Sequence, residues 1–250
     1  MNIVLLTDFG QSEYVGIMKG VIRCHNKTAN IIDLTHSITS HEIVEAAWVL
    51  FKSYHFFPEN STFCVVVDPG VGTRRQAVAI KTKNYQFVGP DNGVLWQAAT
   101  ENGIEEVVLL STEKAVSTTF HGRDIFAPAA ARICTGLSSL SSLGPPVELK
   151  QQLELAPSIS GRGMVVRIDH FGNIITNLPN LIASKALEVR FGKTNDPIEM
   201  MVCRTFADGP PNKPIIIVGS AGTLEIAVKN GRAVDQFGVQ VGEEVELLNP

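Results

Sequence analysis

Apolar residues in the first half of the chain follow two different spacings. Short continuous or β-branched runs predict strands, and apolar residues three and four positions apart predict helices between them. Two runs on either side of the polar turn Thr82–Asn84 predict a hairpin. Strands that alternate with helices are typical of an α/β domain with a mainly parallel sheet. The predicted strands are Ile3–Leu6, Ile31–Leu34, Thr62–Val67, Val78–Ile80, Gln86–Val88 and Val107–Leu110, and the predicted helices are Tyr14–Ile22, Glu42–Phe51, Gly93–Ala99 and Asp124–Ile133.

The pattern changes in the second half of the chain. A stretch rich in serine, glycine and proline, Ser138–Pro146, interrupts the alternation, and from Gly163 onward short β runs are separated by turns. Such runs without a long helix predict a small antiparallel, barrel-like β domain. We therefore predict a three-layer α/β domain over 1–150, a linker over 151–162 and a β domain over 163–250. The β runs are Met164–Ile168, Leu187–Phe191, Ile198–Val202, Ile215–Val218, Leu224–Val228 and Glu244–Leu247.

Composition and charge exclude several classes of protein. The chain has 250 residues, 44% of them hydrophobic, which suffices for a core without disulfides or metals. Its net charge is −4 and it has no basic face or tail, which argues against a nucleic-acid partner. No apolar segment is long enough to cross a membrane. The chain opens directly on a strand-like run, so we expect no leader peptide and a cytoplasmic protein.

The cysteines and histidines show no metal-ligand spacing. The 4 cysteines are far apart, without a Cys-x-x-Cys pair, and are expected to be buried, reduced thiols. The 6 histidines form no His-x-x-x-His pattern. We therefore predict neither a metal site nor a cofactor.

Three polar clusters follow predicted strands or precede a predicted helix in the first half. They are Thr7–Gly10, Asp68–Arg75 and Phe120–Asp124. Singly, each has a plain interpretation as a turn, a cap or a solvated surface residue. Together they bring an acid, a guanidinium and an imidazole toward the strand ends where α/β proteins bind ligands, which is typical of a general acid–base pocket. Phosphate-loop and dinucleotide motifs are absent, which argues against a nucleotide polyphosphate and leaves a nucleoside without phosphates open.

The second half adds three further clusters, Asp169–Asn173, Thr205–Asp208 and Gly219–Ala227. Phe171 and Phe206 are open to two interpretations. Either ring can belong to the core, or it can stack on an adenine while a neighbouring amide recognises the edge of the base.

Six segments of the chain together carry a family resemblance. In order they read TDFG, VVDPGVGTRR, GPDNG, STTFHGRDIFAPAAA, IDHFGNIITN and GSAGTLEIAVKNG. The chain resembles the S-adenosyl-L-methionine (SAM) hydrolases, also called SAM hydroxide adenosyltransferases, which are relatives of the fluorinases and chlorinases. The resemblance implies an α/β domain followed by a β domain. It also implies a homotrimer with each site between two subunits, and the reaction of SAM with water to give adenosine and L-methionine.

The resemblance also implies roles for individual residues. Asp68, Arg75 and His121 match the family's catalytic triad, and Asp8 matches the aspartate that binds the ribose diol. The remaining substrate-binding positions are Asn173, which reads adenine, Phe171 and Phe206, which stack on it, Val228, which contacts the base through its backbone, and Asp169, Ser220 and Glu225, which lie near the ligand.

The sequence departs from its relatives around the methionine moiety and the nucleophile. Several relatives have an Asp after the first glycine where this chain reads Gly10–Tyr14, so a contact from Glu13 to methionine stays open. Ala221 replaces an arginine of fluorinase. The halogenating relatives have an aromatic hydroxyl in place of Asp68, and fluorinase has a serine in place of Gly122. A carboxylate 4 Å from a halide repels it by about 4 kcal/mol at an effective dielectric constant of 20, so we predict no halide dependence.

Two other functions remain open at this stage. One is a SAM or adenosine sensor with little turnover, and the other is adenosyl transfer to a nucleophile other than water. A phosphoesterase is disfavoured because neither a metal-ligand spacing nor a phosphate loop is present.

Overall fold

The chain folds into two compact units, Met1–Glu154 and Leu155–Pro250. The computed structural model describes residues 1–113, 117–136, 139–157, 160–180, 186–192 and 196–248. Ser138 of the serine-rich stretch and residues 158–159 of the predicted linker lie outside this described part. No helix within it is long and apolar enough to cross a membrane.

The first unit contains a six-stranded sheet in the order β2-β1-β3-β5-β4-β6. Pairing is parallel throughout except at β4, which is antiparallel to both of its neighbours. The predicted hairpin is therefore present as β4 and β5, with Ala79 opposite Val88. The strands are β1 (Asn2–Thr7), β2 (Asn30–Thr35), β3 (Thr62–Val66), β4 (Ala77–Thr82), β5 (Gln86–Pro90) and β6 (Ile104–Leu109).

Helices cover both faces of this sheet, which confirms the predicted three-layer α/β architecture. They are α1 (Glu13–His25), α2 (Ile43–Ser53), α3 (Trp96–Glu101) and α4 (Ala127–Ile133). α1 packs with α4, and α2 packs with α3. Ile3 and Leu5 of β1 belong to the same core cluster as Met18 and Ile22 of α1. Val4 between them is equally buried, as expected for a strand covered on both faces.

The predicted helix at Asp124–Ile133 begins with a π-helical turn, Gly122–Phe126, before α4. The N–H of Ala127 donates to the carbonyl of Gly122, five residues back. Pro128 follows and has no N–H to donate to the carbonyl of Asp124, so a regular α-helix cannot extend through this position. Such turns are frequent at functional sites, and His121 stands directly before this one.

The second unit is a closed barrel in the order β10-β11-β12-β8-β7-β13-β9, which confirms the predicted β domain. All its pairs are antiparallel except β10 with β11. A short helix α5 (Ala233–Phe237) follows β12. The strands are β7 (Arg162–Ile168), β8 (Ile174–Pro179), β9 (Ala186–Phe191), β10 (Ile198–Val202), β11 (Pro214–Val218), β12 (Thr223–Val228) and β13 (Glu244–Leu248).

Strand β8 falls outside the predicted runs because polar residues interrupt its apolar pattern. Thr176 and Asn177 are buried. The Thr176 hydroxyl donates to the Leu224 carbonyl at 2.7 Å, and Asn177 Oδ1 accepts the Met164 N–H at 2.7 Å. Hydrogen bonds to neighbouring strands thus satisfy the polar groups that obscure the strand in the sequence.

Candidate active site

The position of β5 brings Asp68 and Arg75 to the same edge of the sheet. Asp68 follows the end of β3, and Arg75 precedes the start of β4. β5 lies between these strands, parallel to β3 and antiparallel to β4, so the end of β3 and the start of β4 face the same way. Gly72 in the connecting loop has φ +75°, and a Cβ there would lie 2.5 Å from the Thr118 carbonyl oxygen, so this tight loop requires glycine.

Asp68 and Arg75 form a buried, bidentate ion pair. Arg75 Nε donates to Asp68 Oδ1 at 2.9 Å and to Oδ2 at 3.0 Å, and Nη2 also donates to Oδ2. The two side chains are only 5% and 10% exposed, respectively. The Phe126 ring centroid lies 5.2 Å from the guanidinium carbon. A paired and packed guanidinium of this kind fixes the orientation of the carboxylate.

His121 completes this group, hereafter the trio of Asp68, Arg75 and His121. Arg75 Nη2 lies 2.8 Å from His121 Nδ1. Because arginine only donates, Nδ1 must accept, and the proton of the neutral ring is on Nε2. Burial and then the positive charge of Arg75 lower the pKa of His121, while Asp68 and Asp124 act in the opposite direction. The imidazole is therefore neutral at neutral pH.

A cavity of about 300 Å³ opens at this edge of the sheet and is lined by Asp8, Asp68 and His121. The residues predicted to bind ribose and to activate the nucleophile thus share one cavity. His41, in a left-handed backbone conformation with φ 68°, donates its N–H to Asp8 Oδ2 at 2.8 Å. That contact holds the Asp8 carboxylate at the cavity. Glu13 is not among the described residues that line it.

Three aromatic side chains that sequence reasoning did not single out also line this cavity. Phe9, Tyr14 and Phe120 form a triangle of edge contacts, with ring centroids 4.9 to 6.1 Å apart. Phe9 and Phe120 directly adjoin Asp8 and His121 in the sequence. This adjacency within polar motifs is the signal that could have identified them.

A second cavity, of about 540 Å³, lies in the barrel unit. Phe171, Asn173, Phe206 and Val228, the four residues predicted to contact the base, all line it. Phe171 is 72% exposed and Phe206 is 48% exposed. Neither ring belongs to the barrel core, so the core interpretation is wrong for both, and the rings are free to stack on a planar ligand.

Asp169 fixes the side-chain amide of Asn173. The backbone N–H of Asn173 donates to Asp169 Oδ1 at 2.8 Å, and its side-chain Nδ2 donates to Oδ2 at 2.9 Å. Because an ionised carboxylate only accepts, the amide nitrogen must face Asp169. The Asn173 carbonyl oxygen therefore faces away from Asp169, available as an acceptor.

Ser220 and Glu225 do not line either of these cavities in the described residues. Ser220 is exposed on a turn, and Glu225 is 9% exposed and packs against Gly219. Burial and then the charge of Asp169 raise the pKa of Glu225.

The described residues contain no cluster of three or more His, Cys, Asp or Glu side chains that could hold a metal ion. Of the four free cysteines, three are buried, and burial raises the pKa of Cys64 to about 12. The fourth, Cys24, is exposed.

The two parts of the chain that contain these cavities each match a family model. Residues 3–144 match the SAM hydroxide adenosyltransferase N-terminal domain, and residues 163–246 match the C-terminal domain of the same family. The chain belongs to the SAM hydroxide adenosyltransferase family. The residues that line both cavities lie within the matched regions.

Individual proteins agree with this assignment. The chain is 37% identical to the (R)-S-adenosyl-L-methionine hydrolase of Thermus thermophilus, over 98% of this chain and 99% of that protein. The protein of the same name from Methanocaldococcus jannaschii is 33% identical over 98% and 95% of the two chains. A fluorinase from Actinoplanes is 26% identical over 98% and 96%. The crystal structure of a conserved protein from Thermotoga maritima superimposes with a TM-score of 0.88 at 38% identity, over 98% and 100% of the chains.

Proposed function

We propose that this protein hydrolyses S-adenosyl-L-methionine to adenosine and L-methionine. The observation that carries this proposal is that Asp68 and His121, both bonded to Arg75, line one cavity together with Asp8. That arrangement offers a carboxylate and an imidazole to a water molecule, next to an acceptor suited to a ribose diol. The hydrolases among the relatives support the same reaction.

The proposed step is an in-line displacement at the ribose C5′. The oxygen of one water molecule forms a bond to C5′ while the C5′–S bond breaks, and the electron pair of that bond stays on sulfur. The sulfonium leaves as the neutral thioether of methionine, so the leaving group needs no proton. The water loses one proton and its oxygen becomes the 5′-hydroxyl of adenosine.

The trio activates and aligns this water. Asp68 keeps lone pairs beyond those that accept from Arg75, and it takes the proton of the water. His121 carries its proton on Nε2, so it donates to the water oxygen and orients it rather than acting as the first base. Fixing the attacking oxygen in line with the leaving sulfur can itself lower a barrier by about 7–11 kcal/mol. This mechanism uses side chains alone, and we expect turnover to persist in EDTA.

Substrate recognition is divided between the two cavities. Asp8 accepts both ribose hydroxyls, since two carboxylate oxygens match two adjacent donors. In the barrel unit, Phe171 and Phe206 stack on adenine, Asn173 reads its edge and Val228 contacts it through the backbone. We retain Asp169, Ser220 and Glu225 as expected neighbours of the ligand, and Asp169 has the further contact to Asn173 described above.

We further propose a homotrimer in which the first cavity of one subunit and the second cavity of the next form one site. Light scattering is expected to give about three times the chain mass of 27.1 kDa. Asp68→Asn subunits lack turnover and Asn173→Ala subunits bind SAM weakly. Refolded together at subsaturating SAM, they should give more turnover than either gives alone at the same total protein, because mixed trimers contain some intact sites. A mixture that exceeds neither variant would contradict a shared site.

The reaction itself is tested by incubation with SAM in H₂¹⁸O, followed by mass spectrometry. We expect ¹⁸O in adenosine and none in methionine. Binding of SAM without products would instead favour a sensor, and an adenosyl adduct of another molecule would favour a different nucleophile. The same assay in chloride or fluoride should yield no 5′-halo-5′-deoxyadenosine, because the Asp68 carboxylate repels the halide.

The absence of disulfides among the four cysteines supports a cytoplasmic location for the protein. All four thiols are free, as is usual in a reducing compartment. Localisation of a tagged protein by fractionation tests this expectation.

A further inference from the structure

The turn that follows β5, Asp91–Gly93, lies beside both ends of the loop that carries Asp68 and Arg75. It belongs to the GPDNG segment, whose side chains have no role in the proposed function. The Asp91 N–H donates to the carbonyl of Gln76, the residue after Arg75, at 2.9 Å. Asn92 Nδ2 donates to the carbonyl of Val67, the residue before Asp68, at 2.9 Å. One turn therefore contacts the backbone on either side of the buried ion pair.

Both polar atoms of the Asn92 side chain take part in hydrogen bonds. Its Oδ1 accepts the Val94 N–H at 3.2 Å, which fixes the amide so that Nδ2 can point only toward Val67. The Val67 carbonyl lies beyond the last residue of β3, where regular strand pairing has ended. The Asn92 amide thus supplies a hydrogen bond that the sheet does not provide.

The turn is itself fixed from the other side. The buried Asp91 carboxylate accepts the Lys150 N–H at 2.9 Å and the Gln151 N–H at 3.3 Å. At Gly93, φ is +96° and a Cβ would lie 2.9 Å from Leu153 Cβ, so the turn packs closely against this later segment. A turn fixed in this way can serve as a rigid support for the loop beside it.

We infer that Asn92 is a positioning residue that holds the Asp68 backbone, and through it the Asp68–Arg75–His121 geometry, in register for attack. The inference rests on the proposed function. It goes beyond that function by assigning a role to a residue that is not among those lining the cavity with Asp68. Loss of the Asn92 amide lets Asp68 shift relative to Arg75, and a displacement of about 1 Å at a reacting group can reduce a rate by about 100-fold.

The chain contains a matched control. Asn26 makes the same two contacts away from the cavity, with Nδ2 donating to the Ala131 carbonyl at 3.4 Å and Oδ1 accepting the Thr28 N–H at 3.2 Å. We compare Asn92→Ala with Asn26→Ala in the full-length protein by kcat, KM for SAM and Tm. Asn92→Ala should lower kcat by about 10- to 100-fold with KM within about threefold, and Asn26→Ala should lower Tm alone. Equal fractional losses of kcat in the two variants, or an unchanged kcat in Asn92→Ala, would overturn the inference.

A readout independent of turnover separates this inference from the proposed function. The His121 pKa, followed by NMR of its ring, should rise toward the ordinary value in Asn92→Ala because Arg75 is no longer held against Nδ1. It should stay unchanged in Asn26→Ala. If the wild-type protein makes no adenosine from SAM, the proposed function fails, whereas the ring titration still decides the role of Asn92. Should Asn92→Ala not fold, Asn92→Ser with Asn26→Ser as its control gives the same decision, since serine keeps the turn contact but cannot reach Val67.

Discussion

The two cavities differ in how firmly contacts within the protein fix the side chains of each. In the first unit, Asp68, Arg75 and His121 are buried and joined by four hydrogen bonds to the Arg75 guanidinium. In the barrel unit, the rings of Phe171 and Phe206 are largely exposed. Reacting groups that hydrogen bonds already hold in place need no reorganisation during the reaction. Exposed aromatic rings gain their contacts only when the ligand binds. Substitutions in the first cavity should therefore change kcat, and substitutions in the second should change affinity.

The largest effect is expected from Asp68→Asn, which removes the acceptor for the water proton. Turnover should fall by about 10²- to 10⁴-fold while the Kd for adenosine stays within a few-fold of wild type. Kinetics and calorimetry measure the two quantities. Asp33→Asn is the matched control, since Asp33 also pairs with a cation, Lys19, but does not line the cavity. Retained turnover in Asp68→Asn would show that another group accepts the proton.

The next largest effect is expected from Phe171→Ala in the second cavity. Stacking of a base on an aromatic ring contributes about 1–3 kcal/mol, which corresponds to roughly 5- to 150-fold in the Kd for adenosine. The Tm should not change, because the ring is 72% exposed and lies outside the core. Phe56→Ala is the control, as Phe56 is 79% exposed in the first unit. If kcat falls more than affinity, the distinction between the two cavities is wrong.

A smaller effect is expected when adenosine is replaced by inosine. The Asn173 amide nitrogen faces Asp169, so its carbonyl oxygen is available to accept from the 6-amino group of adenine. Inosine presents a carbonyl there, and an unpaired acceptor should weaken binding about tenfold. Asp169→Asn should reduce this discrimination, because a neutral amide at 169 allows the Asn173 amide to turn over. Equal affinities for the two nucleosides in the wild type would contradict this role of Asn173.

The smallest effect is expected in the pH dependence of kcat. Burial and Arg75 lower the pKa of His121 below its ordinary value of 6.5, so the ring stays neutral at neutral pH and protonates only in more acidic solution. The acidic decline of kcat should lie below pH 6.5, and Asp124→Asn should move it lower still, because the Asp124 charge raises this pKa. In the unfolded chain the ring binds its proton at higher pH, so the stability that this group contributes decreases as pH falls below 6.5. A decline centred above 6.5 would contradict a neutral His121 in catalysis.

Much of the fold could be predicted from the sequence because each signal is local. Continuous apolar runs predict β1 and β3, and the polar turn between β4 and β5 predicts their hairpin. Strand β8 could not be predicted, since Thr176 and Asn177 form hydrogen bonds to adjacent strands whose residues lie far away in the sequence or across a turn. The π-helical turn before α4 could not be predicted either. The spacing of apolar residues does not show whether an N–H donates to the carbonyl four or five residues back.

The sequence motifs predicted which residues belong to the candidate site, but not the contacts among their side chains. That Arg75 lies between Asp68 and His121 depends on strand order, and that Asp169 fixes the Asn173 amide depends on the turn between β7 and β8. For Ser220 and Glu225 a contact with the ligand stays a prediction: Ser220 is exposed on a turn and Glu225 lies against Gly219. The contact of His41 with Asp8 could not be predicted from residue type, since only the backbone N–H of His41 takes part in it.

The reversed direction of β4 has a consequence for how this site could be rebuilt. Because β4 and β5 form a hairpin, Asp68, Arg75 and Asn92 all fall within the uninterrupted stretch 62–93, without a helical crossover among them. A single cassette exchange with a halogenating homologue would transplant the carboxylate, its guanidinium and their brace together. His121 and Gly122 lie outside this stretch, so a full conversion between the two activities needs changes in at least two parts of the chain.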